Sequence, residues 1–291
     1  MGVTHECDYP PGVQDRAHVT RTHIPAAAGS AEIDRLVSQR RGAARALYTL
    51  DHEAMARLAP ELVVTQTLCD VCAVDDVEVR QFAAAISGAG RAAPRVVYLE
   101  PTRLEHVLAS IRQVAEAAGV AERGETLLGE LRARIDAVAR ACGAPEGSRR
   151  PRVLVLEWLD PPFCCGHWTP ELVQLAGGVE PLGRAGERSR RVSVEDVAAT
   201  DPDVIIVACC GYSAERGAAD WPALAGKPQM AALRAVREGR VHAVDGSAYF
   251  SRPGPRLVDS LELLAHVLVP DRWPLRPGLI APRRLVGGDV A

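Results

Sequence analysis

Cys69 and Cys72 stand C-x-x-C in "LVVTQTLCDVCAVDD" (62–76), two of eight cysteines in a chain of 291 residues. Thiolates favour zinc, copper(I) and iron–sulfur clusters, so two on one loop supply half of a tetrahedral set. Cys7 in "THECDYPP", the adjacent pairs Cys164–Cys165 and Cys209–Cys210, and the harder donors His5 and Glu6 are the candidates to complete it. The spacing lacks the second C-x-x-C of a zinc ribbon. A dithiol couple is the other chemistry open to Cys69 and Cys72. They precede a helix expected from Asp75, whose N-terminus lowers a thiol pKa, but Asp70, Asp75 and Asp76 oppose that lowering. Cys142 ends a helical pattern and reads as a packing residue.

A second group suits a large flat ligand, which needs aromatic and apolar faces with few polar contacts. Of only twelve Phe, Trp and Tyr residues, Tyr9, Trp158, Phe163, Trp168, Tyr212, Trp221, Tyr249 and Phe250 fall in or beside expected loops. His167 in "GHWTPE" adds an imidazole, and Arg252 in "SRPGPR" offers a guanidinium to an anionic group.

The elements that must position these groups alternate along the chain. Strands are expected at 61–66, 95–99, 152–159, 203–210 and 240–245, short, β-branched and apolar on both faces, as parallel strands covered by helices are. Helical patterns lie between them, in "DDVEVRQFAAAIS", "LEHVLASIRQVAEAAG", "TPELVQLAGG" and "GPRLVDSLELLAHVL". The reading is α/β with two Rossmann-like lobes. One pattern has no strand behind it: in 121–142, Leu127, Leu128, Leu131, Ile135 and Val138 form an apolar stripe. At ~1.5 Å per residue that helix spans ~33 Å, long enough to join two lobes. The expected division is an N-terminal lobe at 1–120, a connecting helix at 121–142, a C-terminal lobe at 151–270 and a tail at 271–291. Ligands of open parallel sheets bind outside the carboxyl ends of the strands, and every cysteine but Cys142 is expected at that rim.

Other classes are excluded by what the sequence contains. Net charge is −3, with 33 Arg against the single Lys227, and no basic run is interleaved with aromatics as in a nucleic-acid surface. G-x-S-x-G, H-E-x-x-H and P-loop patterns do not occur, so binding rather than catalysis is expected. No window has the ~18 consecutive apolar residues of a membrane span. The opening "MGVTHECDYPPGVQDR" lacks the apolar region of a signal peptide, which predicts a cytoplasmic protein with reduced thiols; an extracytoplasmic place requires a start further upstream.

The segments "GVTHECDYP", "VVTQTLCDVCAV", "YLEPTRLEHVLASIRQVAEAAG", "LEWLDPPFCCGHWTPELVQLAGG", "DPDVIIVACCGY" and "VDGSAYFSRPGPRLVDSLELLAHVL" together resemble the cobalamin-binding branch of the class III solute-binding proteins of ABC transporters. The resemblance runs over about residues 2–270. It implies two α/β lobes joined by a single helix, with the ligand in the cleft between them. Members open with a strand and helix ahead of the segment matching "GVTHECDYP"; here that unit is absent, so the N-lobe is expected to lack its first βα unit. The function implied is binding of cobalamin, another corrinoid or a related metal-centred ligand, with an ABC permease as partner only where an upstream signal peptide exists. The thiols keep an alternative open on the same scaffold: a protein, enzymatic or not, that holds zinc, copper or an iron–sulfur cluster.

Overall fold

The computed structural model describes residues 1–25, 28–42, 47–66, 79–84, 92–143 and 147–285. The chain divides into two compact units, one of Met1–Glu100 with Arg112–Glu122, the other of Pro101–Ile111 with Arg123–Ala291. Both are α/β, as the alternating patterns predict.

The first unit holds three strand pairs. β1 (Gly2–Val3) runs parallel to β2 (Ala17–His18), β3 (Thr20–Thr22) antiparallel to β4 (Tyr48–Leu50), and β5 (Leu62–Gln66) parallel to β6 (Arg95–Leu99). Helix α1 (Ser30–Gly42) is mostly polar and was not foreseen. Asp51 caps α2 (His52–Leu58), accepting the Ala54 amide at 2.9 Å and Arg21 at 2.9 Å. Val19, Ala54, Met55 and Phe82, the last from helical residues 79–84, form the core.

The second unit is built on one six-stranded sheet of order β12-β11-β10-β7-β8-β9. Its centre is parallel: β7 (Val153–Leu159), β10 (Val204–Val207) and β11 (Val241–Ala243), with Leu154 opposite Ile205 and Ile206 opposite His242. Residues Val153 to Leu156 and all of β10 are buried, which is why they read as unbroken apolar runs. The short outer strands β8 (Pro162–Cys164), β9 (Arg190–Arg191) and β12 (Arg283–Leu285) pair antiparallel and were missed. At two or three residues each, they carry too little pattern to be seen without their partners.

Two expected strands are shorter than read. The run 203–210 stops being strand at Val207 and 240–245 stops at Ala243, so Cys209 and Cys210 lie beyond the sheet. Apolarity continues past the last ladder pair because Ala208 and Cys209 are buried by tertiary packing.

Helices α3 (Leu104–Ala117) and α4 (Ala121–Cys142) follow one another, the latter as a single helix of 22 residues. From Arg123 onward α4 belongs to the second unit. Its stripe works as expected there: Leu128 and Leu131 pack with Leu108 of α3 and Val258 of α10 (Leu257–Leu268), and Val138 is buried.

Candidate functional site

The loops leaving β7, β10 and β11 share the carboxyl end of the parallel strands. β7 turns back through Asp160-Pro161 into β8, and Trp158 stands directly opposite Phe163 across the antiparallel pair. Directly opposed residues share a face, so the two rings form one half-buried aromatic surface. Tyr212, in the loop after β10, is only 2% exposed and backs that surface from the interior, its ring 5.0 Å from that of Trp158 at 58°. The Arg216 guanidinium sits 3.8 Å from the Tyr212 ring centroid and donates to its hydroxyl at 3.1 Å. At the other end Arg191 of β9 lies 5.9 Å from the Phe163 ring. Three aromatic rings in a run are thus flanked by two cations, the geometry of cation–π contact. Neither arginine was anticipated, though Arg216 stands four residues after Tyr212, one helical turn on.

His167 takes φ +52°, a left-handed conformation that costs a non-glycine residue energy and collects at functional sites. Two backbone bonds hold it there, its amide to the Glu187 carbonyl at 2.6 Å and its carbonyl from the Gly186 amide at 2.9 Å. Gly166 explains how closely the strands of chain approach, since a Cβ there would lie 2.4 Å from the Ser189 nitrogen. Glu157 accepts from the Ser189 hydroxyl and from the Gly166 amide, tying both loops to β7. It is the one acid in the apolar run "RVLVLEWL", a signal the sequence reading passed over. Burial, then the charge of Arg188, pushes the His167 pKa down, so the imidazole is neutral at pH 7. Its Nε2 is buried and has no hydrogen-bond partner among the described residues.

Five other residues of the predicted ligand group lie inward or are already engaged. Trp168 is 4% exposed and donates Nε1 to the Phe250 carbonyl at 3.0 Å. Tyr249 and Phe250 are buried in a π-helix, Gly246–Phe250, that follows β11. Trp221, in α7 (Ala214–Ala225), is buried as well. Arg252 donates to the Ser247 hydroxyl at 2.8 Å within the same loop. These residues shape the rim from beneath.

The thiols are less disposed to bind metal than their number implied. Cys69 and Cys72 lie outside the described residues. Cys164 is part of β8, opposite Leu156, and Cys164, Cys165 and Cys209 are each 1% exposed. Burial, then Glu180 and Glu157, pushes the Cys165 thiol well above its usual range. Burial raises Cys164 too, and burial followed by Asp220 pushes Cys209 up to about 12. All three are protonated thiols at neutral pH, the form that does not ligate. Among the described residues no three His, Cys, Asp or Glu side chains group to hold a metal ion. In the native protein at pH 8, a thiol reagent is expected to label exposed Cys210 within minutes and to reach Cys164, Cys165 and Cys209 only after unfolding, as mapped by mass spectrometry. Equally fast native labelling of the buried three would contradict their placement.

In the first unit, His5 Nδ1 meets the Thr20 hydroxyl at 2.7 Å, and its Nε2 lies 3.5 Å from Glu6 without forming a hydrogen bond. Cys7 contacts the Thr4 hydroxyl at 3.3 Å. Tyr9 is 56% exposed.

Two α/β units, one carrying an aromatic surface and a neutral histidine at its sheet's carboxyl end, define a ligand-binding protein. The family model described as periplasmic binding protein matches residues 44–248, and the chain belongs to that family. No curated protein matches it. Among solved structures it is similar to a periplasmic heme binding protein from Pseudomonas aeruginosa, at TM-score 0.69 and 20% identity over 99% of this chain and 91% of that one. It is also similar to the periplasmic heme-binding protein RhuT from Roseiflexus sp. RS-1, at TM-score 0.60 and 26% identity over 77% and 81%. The periplasmic vitamin B12 binding protein BtuF of Vibrio cholerae matches at TM-score 0.61 and 20% identity over 92% and 87%. The class III resemblance drawn from the motifs agrees with this group.

Proposed function

We propose that the protein binds a planar, metal-centred macrocycle, a corrinoid or a related tetrapyrrole, at the carboxyl-end rim of the second unit, and passes it to an ABC permease. The observation that carries the reading is the half-buried face of Trp158 and Phe163, backed by the buried ring of Tyr212. A flat macrocycle buries such a face without needing many polar contacts. Membership of the periplasmic binding protein family supports a solute carrier, and the heme and vitamin B12 named for its structural neighbours are both ligands of this shape.

His167 supports the metal-centred part of the reading. A buried ring nitrogen without a partner costs about 1–3 kcal/mol and calls for an explanation. A neutral imidazole is the form that donates to a metal, and the backbone clamp on His167 holds it in one place. The cysteine-ligated alternative draws no support from Cys164, Cys165 and Cys209, which would have to ionise against their burial.

Titrating the purified protein with cobinamide and, separately, with haemin tests the proposal by absorbance and calorimetry. Binding at about micromolar Kd or tighter is expected for at least one, corresponding to about −8 kcal/mol. Absence of both heat and a spectral shift for both probes would sink it. His167→Ala is expected to remove the ligation-dependent band shift and to weaken binding by roughly tenfold, the size of one lost charge-free contact of ~1.4 kcal/mol.

A further inference from the structure

We infer that Tyr249 is a positioning residue through which the C-terminal segment sets the ligand rim, an inference that rests on the proposed macrocycle site. The π-helix Gly246–Phe250 leaves β11 at the sheet's carboxyl end, and π-type turns are frequent at functional sites. Asp245 caps it, accepting the Ala248 amide at 2.6 Å. Gly246 seats it against the exit of β10, because a Cβ there would stand 2.2 Å from the Cys209 carbonyl oxygen. The helix is therefore wedged on its first residue; at its far end the Ser260 hydroxyl donates to the Tyr249 carbonyl, and the Tyr249 side chain takes an anchor of its own.

That anchor comes from distant sequence. The Tyr249 hydroxyl accepts the Ile280 amide at 3.0 Å. Beyond Ile280 the segment is fastened again, as β12 pairs with β11 and Arg284 donates Nε to the Gly239 carbonyl at 2.6 Å. Tyr249 is 5% exposed, whereas the Ile280 side chain is 48% exposed, so the bond and not side-chain packing of Ile280 makes the link. From the π-helix the constraint reaches the rim by two bonds. The Phe250 carbonyl holds the Trp168 indole beside His167, and the Ser247 amide donates to the Tyr212 carbonyl at 3.1 Å, below the Trp158 face. A loosened Tyr249–Ile280 bond thus frees both the aromatic surface and the histidine loop.

Two variants break the same bond from opposite sides: Tyr249→Phe removes the acceptor, and Ile280→Pro removes the donor amide at an exposed side chain. In the ligand-free protein, amide exchange of 246–252 is expected to speed up by about fivefold or more in either variant, with thermal stability within a few degrees of wild type. Affinity for the probe that wild type binds, cobinamide or haemin, is expected to fall by about fivefold in each single variant. The double variant should lose no more than either one, the mark of a shared interaction. Saturating ligand should in turn slow exchange of the Ile280 amide, since coupling between two sites is reciprocal. Unchanged exchange at 246–252 in the ligand-free variants overturns the inference whatever the ligand. Faster exchange with unchanged affinity, or additive losses in the double variant, overturns the link from segment to site. Failure of wild type to bind either probe sinks the macrocycle reading and the inference with it.

Discussion

Trp158→Ala is expected to weaken cobinamide or haemin binding by about 10- to 100-fold, ~1.4–2.8 kcal/mol, while the protein stays folded. Trp158 is half-buried, directly opposite Phe163 and 5.0 Å from the buried Tyr212 ring, so its loss removes half of the accessible aromatic face. Its Nε1 donates to the Asp160 carbonyl two residues away, at 3.1 Å, a bond within its own hairpin. Trp168 is the instructive control. Its ring is buried and its indole NH holds the Phe250 carbonyl, so Trp168→Ala is expected to lower stability before it touches ligand contacts. Calorimetric Kd values, paired with urea midpoints for both variants, separate the roles. Near-wild-type affinity in folded Trp158→Ala would remove the aromatic surface from the site.

Glu262→Ala is expected to destabilise the second unit by about 2–3 kcal/mol, at the lower end of the cost of breaking a buried ion pair because its partners are partly exposed. Its side chain in α10 is 4% exposed and receives Arg134 Nε from α4 at 2.8 Å and Arg276 Nε from the segment after α10 at 2.7 Å. Both guanidiniums also reach Asp259, which stays behind in the variant and holds part of the cluster together. Burial works to raise the Glu262 pKa, but the hydrogen bonds and charges of Arg134 and Arg276 outweigh it and hold the carboxyl below its ordinary value. A depressed carboxyl stabilises the fold above its unfolded pKa, near 4.3, and that contribution disappears as pH falls through the lower folded value. Urea unfolding should therefore show wild type losing stability below about pH 4.5 more steeply than Glu262→Gln. Parallel curves down to pH 3.5 would mean that Glu262 carries no such linkage.

Much of the second unit was legible because its signals are local. The α4 stripe of Leu128, Leu131 and Val138 repeats at helical spacing, and the buried runs in β7 and β10 are unbroken. Such patterns follow from one element meeting an apolar neighbour, whichever neighbour it is. The strands β8, β9 and β12 left no such trace, since a three-residue edge exists only when its partner's ladder is there to receive it. The same difference divides the site. That aromatic residues crowd the strand-end loops was readable from composition and position. That Trp158 and Phe163 face one way while Trp168, Tyr249 and Phe250 turn inward was not, for alternation in a hairpin and hydrogen bonds such as that of Trp168 to Phe250 are set by pairing.

The cysteines mark the boundary between the two kinds of information. Residue type and loop position by themselves determined that soft donors gather near strand ends, and that the chain carries the motifs of a class III binding protein. The tertiary structure decided which of those donors remain protonated: Cys164, Cys165 and Cys209 are enclosed beside the acids Glu180, Glu157 and Asp220, where a thiolate loses its water and meets like charge. It also decided that His167, a candidate by residue type alone in "GHWTPE", stands neutral in a left-handed turn with a ring nitrogen unpaired among the described residues. Ionisation depends on desolvation and on charges brought close by folding, and both are properties of the surroundings that distant chain supplies.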